Sequence, residues 1–148
     1  MKPDVTRQAE LRYRARTDLM WLAREILDYT DLVDRVHQPV VNHFYQLKPG
    51  ADIKTLSDEK GMVLLDPRAH FKTTLAIASA VQWLINYPNI RLFFGAGKLD
   101  RASDSLVAVK NHFQHNPKLR ALFPEFCPPS AKIGARPQSL PFPIEPKS

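Results

Sequence analysis

The segment that most restricts what this chain can fold into is residues 73 to 85. There Leu75, Ala76, Ile77, Ala78, Ala80, Val81, Trp83, Leu84 and Ile85 leave almost no polar face. A helix that is apolar all round has to be buried, because one neighbour alone does not cover it. Just before it, Met62-Val63-Leu64-Leu65 follows Gly61 as a short continuous apolar run, the pattern of a central strand covered on both faces. Asn86-Tyr87-Pro88-Asn89 then turns the chain, and Ile90-Arg91-Leu92-Phe93-Phe94 reads as a second strand ending at Gly95-Ala96-Gly97. Leu99, Ala102, Leu106, Val109 and Phe113 recur at spacings of three and four, which predicts another helix, closed by Asn116-Pro117. Strand, helix, strand, helix with short connections predicts an α/β fold with parallel strands and right-handed crossover helices.

Residues 1–60 read as an N-terminal helical segment ahead of this unit. Arg7, Arg12, Arg14 and Arg16, set against Asp4 and Glu10, make a basic arm, helical or flexible, that serves solubility or touches phosphates. Leu19, Leu22, Ala23, Ile26 and Leu27 then give a helical stripe, with Thr17 or Asp18 as cap and Asp28-Tyr29-Thr30-Asp31 as its end. A second helix is expected from near Pro39, with Val40, Val41, Phe44, Tyr45 and Leu47 as its apolar face, stopped by Lys48-Pro49-Gly50. Residues 61–127 hold the strand–helix unit. Residues 128–148 carry prolines at 128, 129, 137, 141, 143 and 146, which excludes a helix and predicts an extended tail.

A chain of 148 residues supports one core, and 44% apolar with 24% charged residues is the balance of a globular protein rather than a disordered one. The net charge of +6 permits a polyanionic partner without requiring one. Cys127 is the only cysteine, so neither an intrachain disulfide nor a thiolate metal cluster is expected. No apolar run approaches the ~20 residues that span a bilayer, and no signal-like apolar stretch follows Met1, so the expected location is the cytoplasm.

Between the first strand and the apolar helix lies Asp66-Pro67-Arg68-Ala69-His70-Phe71-Lys72-Thr73-Thr74. A phosphate-binding loop needs a buried strand that delivers a turn into a helix N-terminus, where backbone amides and the helix dipole meet the phosphates. A lysine adds a point charge at the β and γ phosphates, and the next hydroxyl ligates magnesium. Lys72 and Thr73 stand where the pattern G-x-x-x-x-G-K-[ST] wants them, but Asp66 and Phe71 replace both glycines. Glycine is the usual choice because such loops visit dihedrals that a Cβ penalises. Taken by itself, the Lys72-Thr73 pair is better read as a helix start capped by Thr73 than as a phosphate site.

With its neighbours included, the loop resembles the variant phosphate loop of tailed-phage terminase large subunits, the ATP-driven DNA-packaging motors. Pro67, Arg68, His70, Phe71, Lys72 and Thr73 carry the resemblance, with an arginine four residues before the lysine. Asp18-Leu19-Met20-Trp21-Leu22 with Leu27-Asp28-Tyr29 looks like that family's aromatic N-terminal helix, and His37 with the helix after it is similar to the segment before its ATPase core. Tyr87-Pro88-Asn89-Ile90-Arg91-Leu92 resembles its second strand, although Gly95-Ala96-Gly97 stands where Ser-Ala-Thr is commoner. The likeness covers about residues 17 to 127.

The resemblance implies an incomplete RecA-like P-loop ATPase core that binds ATP and magnesium. Residues 67–74 (Pro67, Arg68, Ala69, His70, Phe71, Lys72, Thr73 and Thr74) would wrap the phosphates, Lys72 would contact β and γ, and Thr73 would hold the metal. Arg68 would stabilise charge developing on the γ-phosphate; its plainer role is a surface arginine or a partner of Asp66. Gln38 would read adenine, or it is a solvated residue at a helix start. The implied partners are double-stranded DNA, the portal and the small terminase subunit in a host-cell cytoplasm, with a homo-oligomer as an added possibility.

Hydrolysis also needs an acidic residue on a neighbouring strand to hold magnesium. Met62-Val63-Leu64-Leu65-Asp66 leads straight into the Lys72 helix and cannot serve as both strands, and Glu125 follows Phe123-Pro124, which is no strand. A chain truncated before that strand and before the family's nuclease domain is the expectation, binding nucleotide without turning it over. The competing expectations are a non-enzymatic interaction module and a different P-loop ATPase, such as a helicase or a transposition regulator. His112 and His115, three apart on a predicted helix, either share a metal or, the plainer account, lie on a solvated face.

Overall fold

The structure is a computed structural model that describes residues 5–44, 46–52 and 71–129. Its elements, in order, are α1 (Val5–Thr17), α2 (Leu19–Trp21) running into a π-helical stretch (Leu22–Ile26), and α3 (Asp34–Val41). Then come α4 (Lys72–Asn86), α5 (Leu99–His115), α6 (Pro117–Leu122) and a short 3-10 turn (Pro124–Phe126).

Helix α4 sits at the centre, as its composition demands. Leu75, Ala78, Val81 and Ile85 are buried against Ala15 of α1, Leu19, Met20 and Leu22 of the α2 stretch, Val109 of α5, and Leu119 and Leu122 of α6. The N-terminal helices and α4 thus share one core. Within it Gln82, 2% exposed, donates from Nε2 to the Ala15 carbonyl at 3.3 Å. Asn86 donates from Nδ2 to the Arg16 carbonyl at 3.0 Å and to the Gln82 carbonyl at 2.9 Å. A buried polar side chain is tolerated on such a helix because its hydrogen bonds replace those lost to water.

The chain ends its helices where local chemistry dictates. Asp18 caps α2 by accepting from the Trp21 amide at 2.9 Å, and Asp28, with a φ of 61°, follows the stretch after Leu27. Asn116 ends α5 and starts α6: its side-chain oxygen accepts from the Lys118 and Leu119 amides, and Pro117 occupies the first turn. Its Nδ2 also donates to the Ile26 carbonyl at 2.8 Å, which ties α6 to the π-helical stretch. The N-terminal arm is a helix, and Arg12 is a structural residue. Its guanidinium bonds the Leu122 carbonyl at 2.6 Å, pairs with Glu125, and lies 4.6 Å from the centre of the Phe123 ring.

Two expectations need correction. The α/β class, with a RecA-like core of parallel strands and crossover helices, is overturned: the described residues are helical and contain no strand or sheet. The segment 90–96 has no regular secondary structure and no ladder partner among the described residues, and Phe93 is 94% exposed. A central strand would be covered on both faces; here Phe94 alone of the aromatic pair packs on the core. The apolar run 62–65, proposed as the other strand, lies outside the described residues, as does the tail from 130 onward. The second correction is that α3 begins at Asp34, ahead of Pro39, which falls inside the helix. Its start is secured by His37, 5% exposed, whose Nδ1 accepts from the Val33 amide at 2.8 Å. Among the described residues no helix is long and apolar enough to cross a membrane.

Candidate functional site

Helix α4 opens with a backbone that glycine normally supplies. Phe71, its cap residue, adopts φ 54° and ψ 23°, in the left-handed region. For an L-residue other than glycine this conformation costs roughly 1–2 kcal/mol. Phe71 stands where the phosphate-loop pattern expected from the sequence has the glycine before the lysine. The ring is held edge-on against His37, with centroids 5.3 Å apart and planes at 81°. That contact gives the loop's last residue a fixed neighbour in α3.

Phenylalanine has no side-chain acceptor for the first-turn amides of α4, and no side-chain cap bond forms there. Thr73 therefore does not cap the helix, which removes the simplest alternative account of the Lys72-Thr73 pair. A helix start that gains no cap bond from its own cap residue presents backbone donors and the positive end of the dipole together.

A cleft of about 690 Å³ opens beside this start. Lys72, Thr73, Ala76 and Ile77 of α4 form one wall. Phe94, Gly95 and Ala96 of the segment before α5 line it as well, with Arg101, Asp104 and Ser105 of α5. Positions 101, 104 and 105 share a helix face by their spacing. The cap residue of α5, Lys98, also makes no side-chain cap bond. The cleft thus combines two basic side chains, two hydroxyls, one carboxylate and an aromatic ring. Those are donors for an anion and oxygen ligands for a hard cation. Arg101, Asp104 and Ser105 were missed in the sequence, where this face of α5 carries no motif.

Comparison with protein-family models, with curated proteins and with solved structures finds no match. The site therefore stands on its own geometry.

The remaining expected site residues are distributed as follows. Thr74 is half-buried beside the cleft residues in sequence. Pro67, Arg68, Ala69 and His70, with Asp66, lie outside the described residues. Gln38 is not in the cleft: it donates to Asn42 Oδ1 at 2.9 Å and lines a separate cavity with Arg14, Asp18, Arg24 and Asp34. His112 is no solvated-face residue. It meets Tyr29 through Nε2 at 2.8 Å and accepts at Nδ1 from Asn116 Nδ2 at 3.3 Å. Because the Asn116 oxygen is already engaged by two amides, its Nδ2 is the end facing the imidazole. Burial lowers the His112 pKa, with Asp28 pulling weakly the other way. His115 is exposed, and among the described residues no cluster of three metal ligands forms.

Proposed function

We propose that the chain binds ATP with magnesium in the cleft between α4 and α5, as the nucleotide-binding part of a DNA-packaging motor of the terminase large-subunit kind. The observation that carries the nucleotide claim is the left-handed Phe71 immediately before Lys72 and Thr73, at a helix start that gains no cap bond from its own cap residue and opens into a cleft. A non-glycine residue is held in that conformation only where its surroundings over-determine it, and such strain gathers at ligand sites. The donor set fits the cofactor: Lys72 supplies charge to the β and γ phosphates, and Thr73 supplies a hydroxyl oxygen to magnesium. Magnesium would neutralise phosphate charge; the chain's own part is to bind and orient.

The motor assignment is supported by residues 66–74 of the sequence and by the net charge of +6, which suits a double-stranded DNA partner. Portal and small-subunit contacts follow from that assignment alone. A RecA-like sheet is not part of the proposal, and no turnover by this chain is expected.

Titration with a fluorescent ATP analogue, wild type against Lys72→Ala, tests the claim. Loss of one charge-assisted phosphate contact should weaken binding by about tenfold or more. Equal binding by both, or binding by neither, sinks it. A second reading, a non-enzymatic interaction module, is favoured by the adjacent exposed side chains of Leu92 and Phe93. It requires that neither protein bind nucleotide, so the same titration decides between them.

A further inference from the structure

We infer that Asp104, on the first turns of α5, is the carboxylate that faces the magnesium of a bound magnesium–nucleotide complex, with Arg101 beside it on the phosphates. Nothing in the sequence pointed there, because the acid was sought at the end of a strand. The tertiary arrangement supplies it from a helix instead: Asp104 and Ser105 line the same cleft as Lys72 and Thr73.

Magnesium dehydrates reluctantly and is commonly held by one or two carboxylates together with substrate phosphates, not by a dedicated protein cage. One carboxylate lining the same cleft as a threonine hydroxyl fits that habit. The absence of a cluster of three ligand residues among the described residues is no obstacle to it. Asp104 is exposed, and among the described residues it enters no ion pair, so its charge is not already spent on a neighbour. Ser105 donates its hydroxyl proton to the Arg101 carbonyl at 3.1 Å, which leaves the oxygen's lone pairs for a cation or its water.

A purely anionic ligand and a metal-chelated one respond to Asp104 with opposite sign. Without metal, a carboxylate in a phosphate site repels the ligand. With magnesium present, the same carboxylate attracts it. The sign change separates this role from a merely structural one.

Because the inference rests on nucleotide binding at Lys72, the test measures affinity for a fluorescent ATP analogue in excess magnesium and again in EDTA. The proteins are wild type, Asp104→Asn and Asp100→Asn. Asp100 lies on the same helix and carries the same charge but does not line the cleft. Far-ultraviolet circular dichroism checks that each variant retains its helices. The expected result is that Asp104→Asn lowers the magnesium-dependent gain in affinity by roughly tenfold, binds more tightly than wild type in EDTA, and that Asp100→Asn behaves as wild type. A magnesium gain for Asp104→Asn equal to that of wild type overturns the inference and leaves nucleotide binding intact. An equal loss in Asp100→Asn overturns it as well, since general charge would then explain the effect. No binding by wild type in either buffer overturns both.

Discussion

At its C-terminal end α4 is fastened by Asn86 and Gln82 to the carbonyls of Arg16 and Ala15, inside a core closed by Phe123. At its N-terminal end the same helix begins on a left-handed Phe71 with no side-chain cap and faces an open cleft. The aromatic residues make the contrast concrete: Phe123 is 0% exposed beneath Arg12 and Arg16, and Phe93 is 94% exposed. One end is buried and tied to backbone carbonyls, although Asn86 Oδ1 and Arg16 Nε there find no hydrogen-bond partner among the described residues. The other starts on a residue that gives no side-chain cap and borders an open cleft, an arrangement that stability alone does not favour and that binding can use.

Truncating the two phenylalanines gives the largest separation between these ends. Phe123→Ala should cost about 3–5 kcal/mol through lost transfer energy and a cavity, whereas Phe93→Ala should stay within about 0.5 kcal/mol. Urea unfolding followed by circular dichroism measures both, and similar costs would erase the contrast.

The contacts of His112 on α5 with Tyr29 and Asn116 should weaken in acid. His112 is neutral in the fold, with Nδ1 accepting from Asn116; a proton there would set two donors against each other. Its pKa is lowered by burial, so the unfolded chain takes up a proton more readily. The stability His112 contributes is therefore complete above the ordinary histidine pKa of about 6.5 and is lost as pH falls below it. The stability gap between wild type and His112→Gln should shrink from pH 7.5 to pH 5, while His115→Gln, altering an exposed side chain, should show no such trend. A gap independent of pH would show that the imidazole does not titrate through this contact.

The smallest effect is expected at the strained turn. Phe71→Gly removes a Cβ penalty of roughly 1–2 kcal/mol, but it frees the unfolded chain and loses the His37 ring contact, each of opposite sign. Net stability should change by less than about 1 kcal/mol, with nucleotide affinity retained. A large destabilisation would show that the turn is kept for its packing on His37 and not for its backbone.

The parts of the fold that were legible share a short range. The Asp18 cap, the burial of α4 and the end of α5 at Asn116 all depend on residues within a turn or two. The α6 start was legible too, since asparagine followed by proline is a helix-start signal, yet Asn116-Pro117 was taken only as an ending. Arg12 was not legible, because its partners Leu122 and Glu125 lie more than a hundred positions away.

By itself, then, the sequence determined that residues 73 to 85 must be buried and that Lys72-Thr73 would stand at that helix's start. The tertiary structure decided that residues 90–94 form no strand among the described residues. It also decided that Phe71 holds a left-handed dihedral, and that Arg101, Asp104 and Ser105 line the same cleft as Lys72. Helical periodicity and capping are written in local spacing. Strand pairing and the walls of a cleft depend on which distant segments meet, and chemistry between distant side chains follows only once they do.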